Sequence, residues 1–234
     1  MMGRLLRKNN MNVSDAVAYR RSIRAFTDQP VDISMLKEIL KKAQRSPSGG
    51  NLQSWNAKVL TGAPLEALKA EVAKKLPEGP AGQTPEYPIY PPKLPEPYRG
   101  RRFGVGEAMY AGMGIERDDK MGRMMQMAQN FRAFDAPVCL FVHMPKFMGP
   151  PQWSDCGMWM QTLMLLLCEA GLDSCAQEAW SIYGDIVRAQ LDIPDDHIFF
   201  CGFAIGYRDK DAPINNFTVP RAPLEESVTF HGFD

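Results

Sequence analysis

Apolar side chains along this chain recur with a period that changes several times, and each change marks an element. After Asp32 and Ser34, either of which can cap a helix, Met35, Leu36, Ile39, Leu40 and Ala43 fall on one helical face. Pro47 and Gly49-Gly50 close that pattern. A shorter amphipathic run, opened by Ser14-Asp15 and running through Arg21, precedes it. Asn56 to Thr61 predicts a strand, and Pro64 to Leu76 a helix with proline near its first turn. Farther on, Pro137 to His143 is an apolar strand and Trp153 to Ala170 a strongly apolar helix closed by Gly171. Leu172 to Gln177 predicts a short strand, Tyr183 to Leu191 a helix, and Ile198 to Ile205 an apolar strand. Strands alternate with helices without strict β-α-β regularity, which predicts an α+β fold rather than a doubly wound sheet.

The texture breaks between these halves. Residues 77–97 hold eight of the nineteen prolines, so the segment is neither a regular helix nor a central strand. Gly104 to Ile115 and Glu116 to Phe131 follow as two methionine-rich helices. Together they form an insertion over about 77–130 in a single domain spanning 13–234, and such insertions serve as lids or binding loops. The last thirty residues carry little periodicity and predict an extended tail over a surface, this chain's own or a partner's. Residues 1–12 are basic but lack an apolar stretch; they read as a disordered leader, not a secretory signal.

Charge narrows the function. Twenty-seven basic residues balance 27 acidic ones, which argues against non-specific attraction to nucleic acid or to an anionic membrane. The longest apolar run, Leu163 to Cys168, is far too short to span a bilayer. Five cysteines in apolar surroundings, odd in number and without a C-x-x-C pair, predict buried thiols in a reducing, cytoplasmic setting.

Against this balanced background one segment stands out: Arg20-Arg21-Ser22-Ile23-Arg24-Ala25-Phe26. Three guanidiniums and a hydroxyl crowd together, with no acidic residue between Val17 and Thr27. Such a cluster either caps a helix end in solvent or grips a phosphate-bearing, partly planar ligand. Acid–base equipment is scarce. The three histidines (His143, His197, His231) are widely spaced, there is no P-loop or G-x-S-x-G, and Gly104-Val105-Gly106 lacks the third glycine of a dinucleotide fingerprint. This shortage points to a cofactor that brings its own chemistry, with no metal.

Four motifs in order then carry a resemblance. The arginine–serine segment is followed by Ser46-Pro47-Ser48-Gly49-Gly50-Asn51-Leu52-Gln53-Ser54-Trp55, then Gln177-Glu178-Ala179-Trp180. Gly202-Phe203-Ala204-Ile205-Gly206-Tyr207, Asn216 and Pro220-Arg221-Ala222-Pro223-Leu224 complete the set. Together they resemble the FMN-dependent nitroreductase superfamily. The resemblance implies a mixed central sheet flanked by helices, in an interlocked homodimer with FMN at the interface. It assigns Arg20, Arg21, Ser22 and Arg24 to the phosphate, ribityl chain and pyrimidine edge. Pro47, Ser48, Asn51 and Gln53 belong to a loop approaching the flavin, partly from the neighbouring subunit. Gln177, Glu178 and Ala179 pack along the ring, with alanine where many relatives have glycine, and Arg221 reaches the phosphate.

The implied reaction is ping-pong: NAD(P)H delivers hydride to flavin N5, and a small nitroaromatic acceptor then takes two electrons, with no catalytic side chain required. Tyr87, Tyr90, Tyr98, Trp153 and Trp180 are candidates for the acceptor site, with core packing as the alternative for each tryptophan. Arg99, Arg101 and Arg102 are candidates for the 2′-phosphate of NADPH. A quinone or enone reductase, a reductive dehalogenase and a non-catalytic flavin-binding module share the fold and stay open.

Overall fold

The computed structural model describes residues 11–79, 83 and 85–233. Four strands form one sheet in the order β1-β2-β4-β3: β1 (Asn56–Thr61), β2 (Val138–Pro145), β4 (His197–Gly206) and β3 (Asp173–Gln177). Every ladder is antiparallel. The parallel component is a single bridge at the β3 edge, between Ser22 and Ser174. The helices are α1 (Val13–Tyr19), α2 (Ile33–Ala43), α3 (Gly62–Lys75), α4 (Tyr98–Gly112), α5 (Lys120–Ala128), α6 (Pro150–Glu169) and α7 (Gly184–Leu191). This is the expected α+β arrangement.

Strand β2 reads as continuously apolar because helices cover both faces of the sheet. Val138, Leu140, Val142 and Met144 point toward α2 and α6, where they meet Leu36, Ile39, Trp159, Leu163 and Leu167. Cys139 and Phe141 point the other way, toward Leu65, Leu68 and Val72 of α3 and Val187 of α7. The two-residue period of the strand thus feeds two cores. All five cysteines are buried and free.

Several boundaries move for local reasons. Asn12, placed by the sequence in the leader, is the N-cap of α1: its side chain accepts from the Asp15 N–H, and Asp15 reaches back to close a capping box. Residues 1–10 of the leader lie outside the described residues. Helix α1 ends at Tyr19 rather than Arg21, so Arg20 caps it and the arginines leave the helix. Helix α4 starts at Tyr98 and runs through Gly104-Val105-Gly106, so those glycines form no phosphate-binding turn. It ends before Gly114, which sits at φ +68°. The next helix begins only after Asp119, whose carboxylate caps it.

Candidate active site

The arginine segment lies as a strap along the outer edge of β3. Ile23 donates to the Ser174 carbonyl at 3.1 Å, and Thr27 donates to that of Tyr207 at 2.9 Å. Ile23 and Phe26 are buried and anchor the strap from beneath, while Arg20, Ser22 and Arg24 stay accessible. Beneath the strap, burial pushes the Cys175 thiol up to about 11, with the Arg24 and Arg20 guanidiniums pulling the other way. Among the described residues no carboxylate pairs with Arg20 or Arg24. Arg208 instead takes the nearby buried acid, donating from Nε to Asp173 at 2.7 Å while lying 4.4 Å from the Tyr19 ring centre. That pair ties the end of β4 to the start of β3 and leaves the strap arginines unneutralised.

Arg24 donates from its guanidinium to the Ser22 carbonyl within the strap at 3.2 Å, whereas Arg21 reaches out of it. Its guanidinium donates to the Phe217 carbonyl, so this member of the predicted cluster is tied to the C-terminal segment rather than left open to a ligand. The asparagine quoted in the motif, Asn216, is exposed. Asn215 beside it is the engaged one, hydrogen-bonded to the strap at Arg24 and Ala25.

The loop of Pro47, Ser48, Asn51 and Gln53 is a compact turn with an unusual backbone. Gly50, Asn51 and Gln53 all have left-handed φ values, +55°, +58° and +49°. Only surroundings that over-determine the turn hold non-glycine residues there. Gln53 donates from its backbone to Ser48 Oγ at 3.0 Å and from its side chain to the Asn51 carbonyl at 3.1 Å. The Gly49 N–H reaches both oxygens of the buried Asp155 at 3.2 Å. Asp155 is not among the residues the motifs single out, although it is a lone acid near the start of an otherwise apolar helix.

The loop rests on Asp155, near the start of α6. Arg20 follows α1, which packs along α6, and its charge bears on Cys168 toward the other end of that helix. Thirteen residues of helix separate these points, a distance of about 20 Å.

At the end of β3, Gln177 turns inward. It donates to the Asn130 carbonyl at 2.8 Å and accepts from Trp180 Nε1, and it is 2% exposed. Glu178 and Ala179 are half-buried in the following short 3-10 turn. Trp180 has no exposed surface and lies edge-on to Phe131 and Phe141. It is a core residue, which corrects its assignment to the acceptor site. Trp55 is likewise core, stacked 6.1 Å from Trp159.

The other aromatic candidates divide into two groups. Tyr87 donates its hydroxyl to the Phe200 carbonyl and packs on Trp153 and Phe200; burial raises its pKa well above the usual phenol value. Beside it, Glu86 accepts from the Phe199 N–H at 2.7 Å and pairs with Arg188 at 3.3 Å. These two residues fasten the proline-rich segment to β4 beyond the end of β3. Tyr90 and Tyr98 are exposed, with Arg102 3.9 Å above the Tyr90 ring. Neither α4 nor α5 buries a side chain, and Met121, Met124, Met125 and Met127 are exposed. Core packing is therefore not their role in this chain. Arg99 and Arg101 pair with Glu96 and Glu226, while Arg102 stays over Tyr90 beside a cleft of about 470 Å³. Arg221 is exposed in the tail and donates only to the adjacent Val219 and Pro220 carbonyls.

His143 is buried, its Nδ1 2.8 Å from that of His197. Burial pushes it down to about 4, with His197, Lys58 and Arg188 adding to the effect. The unfolded chain therefore takes a proton near pH 6.5 that the folded chain refuses, so stability is full above that pH and falls toward pH 4. Unfolding free energies from urea titrations across this range are expected to drop on acidification with a slope from this group of at most about 1.4 kcal/mol per pH unit. His143→Gln should flatten that slope; an unchanged profile would place the titration elsewhere.

A nitroreductase-type α+β sheet with an arginine–serine strap on its edge defines the class. The family model described as the nitroreductase family matches residues 17–207, and the chain belongs to that family. The nitrobenzene nitroreductase of Ectopseudomonas oleovorans is 35% identical over 218 residues, covering 93% of this chain and 96% of the relative. The FMN- and NADPH-dependent nitroreductase NfnB from sphigopyxis sp. strain HMH is similar at 55% identity with a TM-score of 0.93, over 95% of this chain and 100% of that one. NfnB from Mycobacterium smegmatis, an FMN-dependent enzyme solved in complex with NADPH, has a TM-score of 0.87 at 28% identity, over 94% and 100% of the two chains.

Proposed function

We propose that this protein is an FMN-dependent oxidoreductase that passes two electrons from NADPH to nitroaromatic acceptors by a ping-pong mechanism. The observation that carries the reading is the strap: accessible, unneutralised guanidiniums beside a hydroxyl, on an edge anchored from below by Ile23 and Phe26. That donor set fits a phosphate and the polar edge of a flavin. Relatives similar over nearly the whole chain, including an FMN- and NADPH-dependent nitroreductase, support the same cofactor pair. When bound, FMN supplies the hydride chemistry.

The chain's own residues bind and orient. Arg20, Ser22 and Arg24 hold the phosphate, ribityl and pyrimidine positions, and a guanidinium near the ring's carbonyl edge favours accumulation of negative charge there. Glu178 and Ala179 lie along the ring. Ser48, Asn51 and Gln53 belong to the same site from a second copy of the chain, and Arg221 reaches the phosphate. The length of about 20 Å along α6 from the loop's anchor at Asp155 to Cys168, where the charge of Arg20 is felt, supports a site completed across a homodimer interface. The exposed tail and Met158 of α6 are surfaces suited to that partner. Helices α4 and α5, with Tyr90 and Tyr98, cover the acceptor side as an adaptable apolar lid. Arg102, the one of its trio without a carboxylate partner among the described residues, faces the 2′-phosphate. The protein works in the cytoplasm.

Anaerobic half-reactions test this. The purified protein is expected to be yellow, to bleach with NADPH, and to recover its colour when nitrobenzene is added. Recovery with a quinone but not with nitrobenzene would assign a different acceptor. A yellow protein that NADPH and NADH both fail to bleach is a flavin carrier. A colourless protein that cannot be reconstituted with FMN removes the reading.

A further inference from the structure

The strap that carries Arg20, Ser22 and Arg24 belongs to no helix or named strand; it touches the sheet through isolated bridges at Ser22 and Phe26. What holds it between those points is a hook near the C-terminus. Pro213–Asn215 form one 3-10 turn, closed by the Asn216 N–H on the Pro213 carbonyl at 2.9 Å. The turn sends the Asn215 side chain inward, where it is 5% exposed.

The Asn215 carboxamide joins three segments. Its Oδ1 accepts from the Arg24 N–H at 2.8 Å, and its Nδ2 donates to the Ala25 carbonyl at 2.9 Å and to the Asp209 carbonyl at 2.8 Å. The partners dictate this orientation, because carbonyls only accept and the backbone N–H only donates. Both amide hydrogens are thereby used, so Asn215 has none left for a ligand. Two residues later the Phe217 carbonyl takes the Arg21 guanidinium, and the Phe217 ring lies 5.8 Å from the Arg24 guanidinium carbon.

We propose that Asn215 is a positioning residue for FMN binding, acting through Arg24; this rests on the FMN reading above. A long arginine side chain binds tightly only when its base is fixed, because ordering it at the moment of binding subtracts from affinity. Asn215 fixes that base from both sides of the Arg24–Ala25 peptide, and Phe217 supports the guanidinium.

A double-mutant cycle tests the coupling. FMN is titrated into flavin-stripped wild type, Asn215→Leu, Arg24→Ala and the double variant, with circular dichroism checking that each is folded. Asn215→Leu should raise the FMN dissociation constant about tenfold in the wild-type background and less than about threefold once Arg24 is gone. Equal losses in both backgrounds would show that Asn215 supports the fold in general and would overturn the proposal, as would no loss in the wild-type background. If Asn215→Leu does not fold, Asn215→Ser, which keeps one short polar group, replaces it in the same cycle. A wild-type chain that binds no FMN removes the cofactor reading and this proposal with it, whereas FMN binding with additive losses removes this proposal alone.

Discussion

Arg24→Ala and Arg20→Ala are each expected to weaken FMN binding by about 1.5–3 kcal/mol, roughly ten- to a hundredfold in dissociation constant. The size follows from the state of these side chains in the folded chain. Neither has a carboxylate partner among the described residues, so neither is already neutralised before a phosphate arrives. A charge-assisted bond formed under those conditions replaces water rather than an existing ion pair. The nearest buried acid, Asp173, is held by Arg208, which keeps it from competing. Quenching of flavin fluorescence on titration measures the effect, and rising salt should weaken wild type more than either variant. Unchanged affinity in both variants would defeat the assignment of the strap to the phosphate.

Trp180→Ala is expected to destabilise the fold by about 3–5 kcal/mol, as deletion of a large buried aromatic does. Trp180 stands 5.8 Å from the Phe131 ring and 5.3 Å from that of Phe141, edge to face with each. It also lies against Gly202 of β4, where an added Cβ would come 2.3 Å from Trp180 Cδ1. Gly202 is there because the indole occupies the space a side chain would need. Gly202→Ala should therefore destabilise too, by overpacking rather than by a cavity. Urea unfolding of the flavin-free protein measures both. If Trp180→Ala kept its stability and raised only the KM for the nitroaromatic, the tryptophan would belong to the acceptor site after all.

Much of the fold was legible in the chain. The strands Asn56–Thr61 and Leu172 to Gln177, and the apolar helix closed by Gly171, fall close to their expected places because burial period and helix-stop signals are local properties. The middle of the chain, from Glu86 through α5, was harder. Proline excluded regular structure over 77–97, but nothing local showed that Glu86 and Tyr87 would fasten to β4. Their partners are the Phe199 N–H and the Phe200 carbonyl, more than a hundred residues away. The methionines of α5 have a periodic face, and period alone could not tell a core face from an exposed one.

The site divides in the same way. Composition, spacing and the unneutralised charge between Val17 and Thr27 were enough to mark a candidate anion site, to suggest a cofactor-borne chemistry and to place the chain near one family. Those properties are carried by short stretches of residues, whatever the chain does elsewhere. Only the tertiary structure decided that Arg21 turns to the Phe217 carbonyl, that Asn215 rather than Asn216 reaches the strap, and that Trp180 is core. It alone showed that the Ser48–Asn51 loop is anchored on Asp155 of α6. The direction of a side chain depends on backbone angles and on neighbours up to about 190 residues distant, and adjacent residues of the same type, such as two asparagines, differ in nothing else.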